Sequence, residues 1–421
     1  MSTAWDLSAT TSGEISYRPA TGRLLAPFVV GAAVLYNFIL CFVDTNLFGI
    51  SDRLVILCEI TLVGAAFGLI WYRTRVLYTI LSLVAAYLFT VMVIRFDFDP
   101  KLVRDVLIPI AFFFMGSYLG SLRSADKLMM LLIIFALSAA LFEWLALNTF
   151  LHHFDVMKYY VARGTDGNLG ASAGGMLIKG TDTAASLYIN GTRFGGRTLL
   201  PFLGDHRVSG IFLEPVSAGN FGAIAFAWVL LRDRGRFWAF IAKMLAIATI
   251  LVLADARFGF YLSVFVLVVY LAAPVIRPTM LLVVPFLAMI GSLTYAAIGA
   301  HGQIGNDIIG RTFDAGRLLA GLDAWQAFGL QTSDVFFNGY AGDSGYGYVL
   351  TKIGLVGFAA MWALFAYAPV AGKEAWRFKI FIVAYVVSLL TISASIFSIK
   401  TAALLWFLYG TLSNPNRAAC A

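Results

Sequence analysis

Charge is scarce in this 421-residue chain: Asp, Glu, Lys and Arg together make up 13%. Soluble domains carry about 25%, so the chain has too little polar surface to cover a water-exposed globule, and a separate soluble domain of usual size is excluded. Cysteine is scarcer, with three residues. Cys41 and Cys58 lie inside apolar runs and Cys420 is next to last, so no pair is placed to staple a loop, and no C-x-x-C spacing points to zinc or redox work. Of the four histidines, the pair His152-His153 has no further ligand at metal spacing. The polar N-terminal tail, with Asp6, Glu14 and Arg18, lacks the apolar core and small-residue cleavage site of a signal peptide. No internal repeat stands out, which argues against the two-fold architecture of many secondary transporters.

What the chain has in abundance is apolar sequence, with 60% hydrophobic and 15% aromatic residues. A bilayer crossing takes about 20 mostly apolar residues. Runs of that kind, bounded by charge, fall near 24–43, 54–71, 76–95, 103–121, 127–149, 214–231, 236–254, 258–276, 279–299, 345–370, 377–397 and 400–413. The expected fold is an all-α polytopic membrane protein of about twelve transmembrane helices.

Lys and Arg in alternate short connections set the orientation. With the N-terminus inside, the cytoplasmic set holds fourteen (Arg18, Arg23, Arg73, Arg75, Arg123, Lys127, Arg232, Arg234, Arg236, Arg277, Lys373, Arg377, Lys379, Arg417). The short outer connections hold six: Arg53, Arg95, Lys101, Arg104, Arg257 and Lys400. That bias is the positive-inside signature of cytoplasmic termini. It accounts for much of the net charge of +7, and nucleic acid drops out as a partner. The resulting map is a cytoplasmic tail at 1–23, five spans in 24–149, a large outer loop at 150–213, four spans in 214–299, a second outer loop at 300–344, three spans in 345–413 and a tail at 414–421.

Long connections in a compact protein are usually functional. The first contains eleven glycines from Gly164 to Gly210, and all four histidines (His152, His153, His206, His301) fall in the two loops. The second loop also holds Leu318, Leu319, Leu322, Trp325 and Phe328 at helical spacing, the pattern of a short interfacial helix lying on the outer leaflet. It ends in Asp343-Ser344-Gly345-Tyr346-Gly347-Tyr348. A carboxylate there, beside a serine and glycines, fits a general base toward a hydroxyl; Asp343 or Ser344 equally fits a helix N-cap. Arg207, Arg257, Arg311 and Arg317 sit at the outer boundary next to small residues, which suits bidentate binding of phosphate oxygens. Each also fits snorkelling to lipid headgroups, and Arg257 fits a local salt bridge to Asp255.

Within the spans, Lys243 and Lys352 are expected to face the interior, a polar cavity or an interface. Lys352 lies two to three helical turns below Asp343, so a cavity shared with Asp343 and an interhelical contact are both open. Glu59 and Glu143 are buried acids without an evident partner. Asp97-Phe98-Asp99, flanked by Arg95, Lys101 and Arg104, reads as an interfacial salt-bridge cluster in preference to a metal pair.

These segments together resemble the O-antigen ligase/polymerase superfamily, the polytopic Wzy and WaaL type, over roughly residues 205–360. Arg207-Val208-Ser209-Gly210-Ile211-Phe212-Leu213-Glu214-Pro215 is similar to the family's Arg-x-x-Gly-x-Phe-x-x-Pro at the start of a span. Ala256-Arg257 resembles its Ser-Arg turn, with alanine in the serine's place, and Gly316-Arg317 followed by Trp325 resembles its Gly-Arg segment before a tryptophan. Asp343-Ser344 ahead of Gly354-Leu355-Val356-Gly357 resembles its last loop motif, where the ligases carry His-Asn. The aspartate form is similar to exopolysaccharide polymerases of the xanthan type.

The resemblance implies a GT-C-like membrane glycosyltransferase of the bacterial inner membrane, with two large periplasmic loops. It would join undecaprenyl-diphosphate-linked oligosaccharide repeats by an inverting transfer, with no cofactor and no metal. The same lipid-linked unit would be donor and acceptor, membrane lipid would surround the protein, and a chain-length regulator, flippase and export proteins of the pathway would be partners. Asp343 would be the base or acceptor orienter, with His206 and His301 as further candidates, and Arg207, Arg257, Arg311 and Arg317 would hold the diphosphate. Ser344 and Tyr346 would touch substrate, and Tyr346, Tyr348 and Trp325 would stack on sugar rings or pack as core and interface aromatics. The alternatives are a ligase moving finished glycan onto lipid A core, and a twelve-helix flippase or transporter.

Overall fold

The computed structural model describes residues 20–71, 75–162, 191, 199–299, 308–331, 344–368, 370 and 372–414. Among these residues the chain is helical, without a β-sheet. The helices are α1 (Ala20–Asn46), α2 (Asp52–Ile70), α3 (Arg75–Arg95), α4 (Pro100–Leu119), α5 (Leu122–Leu145), α6 (Leu147–His153), α7 (Val156–Ala162) and α8 (Pro215–Arg232). They continue as α9 (Phe237–Leu253), α10 (Arg257–Ala272), α11 (Pro278–Ile298), α12 (Ile308–Gly321), α13 (Ala324–Ala327), α14 (Gly345–Tyr367), α15 (Gly372–Ile392) and α16 (Ile399–Leu412).

Eight of the described helices are long and apolar enough to cross a membrane, namely α1 to α5, α11, α14 and α15. Helices α9, α10 and α16 are apolar but shorter, and α8 starts on the polar positions Ser217 and Asn220. Large apolar side chains such as Phe89, Leu131, Leu271, Leu287 and Leu364 stand exposed on helix flanks. So much apolar surface is untenable in water and normal against lipid. The protein is a polytopic helical membrane protein.

Helix starts follow local chemistry. Asp99 accepts from the Leu102 amide at 3.1 Å, with Pro100 in the first turn of α4. A capping box of Ser121 and Ser124 opens α5. The most extensive interhelical packing joins α4 to α16. There the backbones touch: a methyl at Gly116 would collide with the Phe407 carbonyl, and one at Gly410 with the Phe113 carbonyl. Small residues permit this approach where lipid supplies no hydrophobic force between helices.

Three expectations about elements are corrected. The run at 127–149 ends as a helix at Leu145 and restarts as α6, so the first long connection begins with two short helices. These dock on α1: Asn46 Nδ2 donates to the His153 carbonyl at 2.8 Å, Lys158 Nζ to the Asp44 carbonyl at 2.6 Å, and Tyr159 Oη to Asn37 Oδ1 at 2.6 Å. The run at 377–397 ends as a helix at Ile392, and Ser393 caps a 3-10 turn over Ala394–Phe397. The stretch from Leu318 to Phe328 is not one interfacial helix. Asp323 and Gln326 form a capping box that starts α13 anew. Gly316 lets α12 lie against α11 at the Ser292 carbonyl, and Leu318 and Leu319 are buried.

Helix α14 is broken at Gly354, where φ is 79° and ψ 159°. Only glycine visits that region readily. Tyr87 of α3 bridges the break, donating to the Ile353 carbonyl at 2.6 Å and accepting from the Gly357 amide at 3.0 Å. Arg95 donates to the Lys352 carbonyl, and the turn at Phe328 and Gly329 packs against Gly354.

Candidate functional site

The segment from His206 to Glu214 runs into α8 along a strained path, with Gly210 at φ 54° and Leu213 at φ 60°. Pro215 opens the helix, where its missing N–H costs nothing. Two buried charges from distant parts of the chain hold the segment. Glu143, in the last turn of α5 and 1% exposed, accepts from the Ser209 amide at 3.1 and 3.0 Å and from the Gly210 amide at 2.6 Å. His206 Nε2 lies 3.0 Å from Glu143 Oε1. Lys400, in the first turn of α16 and 3% exposed, donates to the Phe212 carbonyl at 3.2 Å and to Glu214 Oε1 at 2.7 Å. An acid thus takes the segment's N–H groups and a cation takes its carbonyl. Unsatisfied, these backbone groups would each cost on the order of kcal/mol in lipid surroundings.

Arg207 lies inside this clasp. Its guanidinium donates to the carbonyls of Ala254 (3.3 Å) and Asp255 (3.4 Å), and the Val208 amide donates to the Leu253 carbonyl at 3.0 Å. Asp255 has φ 44° and is fully buried, and its carboxylate accepts from the Leu199 amide at 2.7 Å. The Arg257 amide donates to the Asp255 carbonyl at 3.0 Å as α10 begins. One carbonyl oxygen, that of Asp255, is therefore where the Arg207 and Arg257 segments meet.

Arg311 Nη1 donates to the Ile392 carbonyl at the end of α15, at 3.0 Å. A cavity of about 390 Å³ is lined by Phe258, Ser292, Ile308, Thr312 and Ile392. Phe258 follows Arg257, Thr312 follows Arg311, and Ile392 is Arg311's partner, so the segments that carry the two arginines contribute residues to one hollow. Arg317 stands over the Phe313 ring, 6.0 Å from its centroid. The structure thus gathers Arg207, Arg257 and Arg311 at one end of the bundle, with Arg317 further along α12.

The expected substrate contact of Tyr346 is corrected, and Ser344 takes the capping role that the sequence left open for it. Tyr346 is fully buried and donates to the Pro285 carbonyl at 2.9 Å, so it is a core residue and no sugar platform. Ser344 is 6% exposed and caps α14 by accepting from the Gly347 amide at 3.3 Å. Tyr348 is likewise buried, with its hydroxyl on Asp105 Oδ2 at 2.7 Å, while Trp325 is exposed. Asp343 and His301 lie outside the described residues.

A second cluster of charges lies at the α3–α4 corner. Arg104 is bonded to Glu59 and to Asp105 Oδ1 (2.6 and 2.9 Å), and Tyr36 donates to Glu59 at 2.5 Å. Lys352 pairs with Asp99 at 2.6 Å, which settles its role as an interhelical contact. Burial opposes the Asp99 carboxylate. Hydrogen bonds from Lys352 and Leu102 and the charges of Lys352 and Lys101 outweigh it, and hold its pKa below the ordinary value. Lys243 reaches Asp233 at 2.7 Å, at the end of α8. Below Asp105 an apolar cavity of about 250 Å³ runs between α3, α4, α14, α15 and α16, lined by Pro109, Phe113, Phe358, Trp362 and Trp406.

Glu143 and Lys400 hold the Arg207 segment, a role that the sequence reading did not assign to them. An ionisable residue inside a span is itself a signal, and Glu143 carried it. Its partners are backbone amides, which no side-chain pattern reveals. No family model, curated protein or solved structure matches this chain.

Proposed function

We propose that the protein is a GT-C-like polymerase of the bacterial inner membrane, with twelve spans, cytoplasmic termini and two periplasmic loops. It joins undecaprenyl-diphosphate-linked oligosaccharide repeats into exopolysaccharide. In the transfer, a hydroxyl of one repeat attacks the anomeric carbon of another. The bond from that carbon to the diphosphate oxygen breaks with inversion, and the hydroxyl proton passes to a base, for which Asp343 is the candidate. Charge develops on the departing diphosphate, and arginines already in place stabilise it most where water is excluded.

The observation that carries the reading is the meeting of the Arg207 and Arg257 segments at the Asp255 carbonyl, with Phe258 and Thr312, the residues after Arg257 and Arg311, lining one hollow. Cations so grouped among apolar helices are expensive and fit a bound anion better than scattered headgroup contacts do. The apolar cavity below Asp105 supports a substrate that carries a hydrocarbon chain.

The test is a transfer assay on the purified protein in detergent with lipid-linked repeats. Wild type should form glycosidic bonds and lengthen the repeats. Arg257→Ala should leave single repeats while still inserting and folding. Wild-type chain lengths in that variant would overturn the assignment of the arginines. A wild type that forms no glycosidic bond would favour a flippase, and cells without the protein that accumulate long lipid-linked chains would mark a ligase.

A further inference from the structure

We infer that Glu143 is a positioning residue that sets the diphosphate-binding geometry through Arg207. The inference rests on the polymerase reading for its substrate and on the structure for its geometry. Glu143 grips the chain on both sides of Arg207: one residue before, at the His206 ring 3.0 Å away, and two and three residues after, at the Ser209 and Gly210 amides. Lys400 fixes the far end of the same segment at Phe212 and Glu214. Arg207 is thereby delivered to the Ala254 and Asp255 carbonyls beside Arg257. A neutral acceptor of the same length would satisfy part of this set but not all of it. A carboxylate presents two oxygens and about four lone-pair sites, whereas an amide presents one oxygen. Phosphoryl-binding groups need placement within about 0.5 Å, and a misplacement of about 1 Å costs roughly 100-fold in rate.

The measurement is a double-mutant cycle in the full-length protein, on kcat/KM for lipid-linked repeats. Glu143→Gln should lower kcat/KM by about 10- to 100-fold. Combined with Arg207→Lys, it should cost no more than Arg207→Lys alone, because a positioning residue acts through the group it places. Multiplied losses in the double variant would overturn the inference, since a general weakening of the fold would add to any other defect. Thermal midpoints with inorganic pyrophosphate give a reading independent of catalysis. Pyrophosphate should raise the midpoint of wild type and should raise that of Glu143→Gln much less. Equal shifts in both, or no shift in wild type, would also overturn it. A wild type that binds pyrophosphate but makes no glycosidic bond would defeat the polymerase reading while leaving this one standing.

Discussion

Asp99 caps α4, pairs with Lys352 across to α14 and sits beside Lys101, and the latter two roles require the ionised carboxylate. Its pKa is depressed in the folded protein, so it contributes stability that is fully present above the unfolded value of about 3.9 and fades as pH falls through the lower folded value. Thermal scans should therefore find Asp99→Asn less stable than wild type at about pH 6, with the gap narrowing below about pH 4. A gap that stays constant across that range would disprove the coupling. At this scale the sequence was partly legible. Charge at the start of α4 was readable, but not its pairing: the flanking Arg95, Lys101 and Arg104 suggested local partners, whereas Asp99 pairs with Lys352, remote in sequence, and Arg104 with Glu59 and Asp105. Tyr346 was misread as a ligand contact because an aromatic next to a loop motif looks the same whether its hydroxyl meets a sugar or, as here, the Pro285 carbonyl.

Along the helices, every apolar run expected from the sequence contains an α-helix, because bilayer length and hydropathy are local properties, although the runs at 127–149 and 377–397 outrun theirs. Breaks and restarts were hidden. Gly354-Leu355-Val356-Gly357 reads as ordinary apolar sequence, and what opens the helix there is Tyr87, Arg95 and the Phe328-Gly329 turn, all remote in sequence. The break depends on glycine. Gly354→Ala should destabilise the protein by about 1–3 kcal/mol from the backbone conformation alone, and by more because a methyl there also meets the Phe328 carbonyl. Val356→Ala, at an exposed position two residues on, should stay within about 0.5 kcal/mol. Unfolding midpoints in one detergent decide this; equal midpoints for Gly354→Ala and Val356→Ala would show that the break is dispensable.

For the whole molecule, the proposed orientation makes one face of the membrane reachable at Arg53 and Phe202 and the other at Arg123 and Arg236, all at exposed or loop positions. In right-side-out membrane vesicles of a cysteine-free variant, a membrane-impermeant maleimide should label Arg53→Cys and Phe202→Cys but not Arg123→Cys or Arg236→Cys. The reverse pattern would invert the topology and place the arginine cluster in the cytoplasm. The close α4–α16 crossing also bears on how the molecule is made. Helix α16 follows α4 far along the chain, so α4 waits through the synthesis of everything from Gly120 to Ser398 before its partner exists. At about 5–20 residues per second that delay is on the order of tens of seconds. Throughout it, the glycine-bearing face of α4 is an unfinished surface, open to wrong neighbours and to membrane quality-control proteases. A chain cut short before α16 would never close that face, and it would also lack Lys400, which holds the Arg207 segment from the other side.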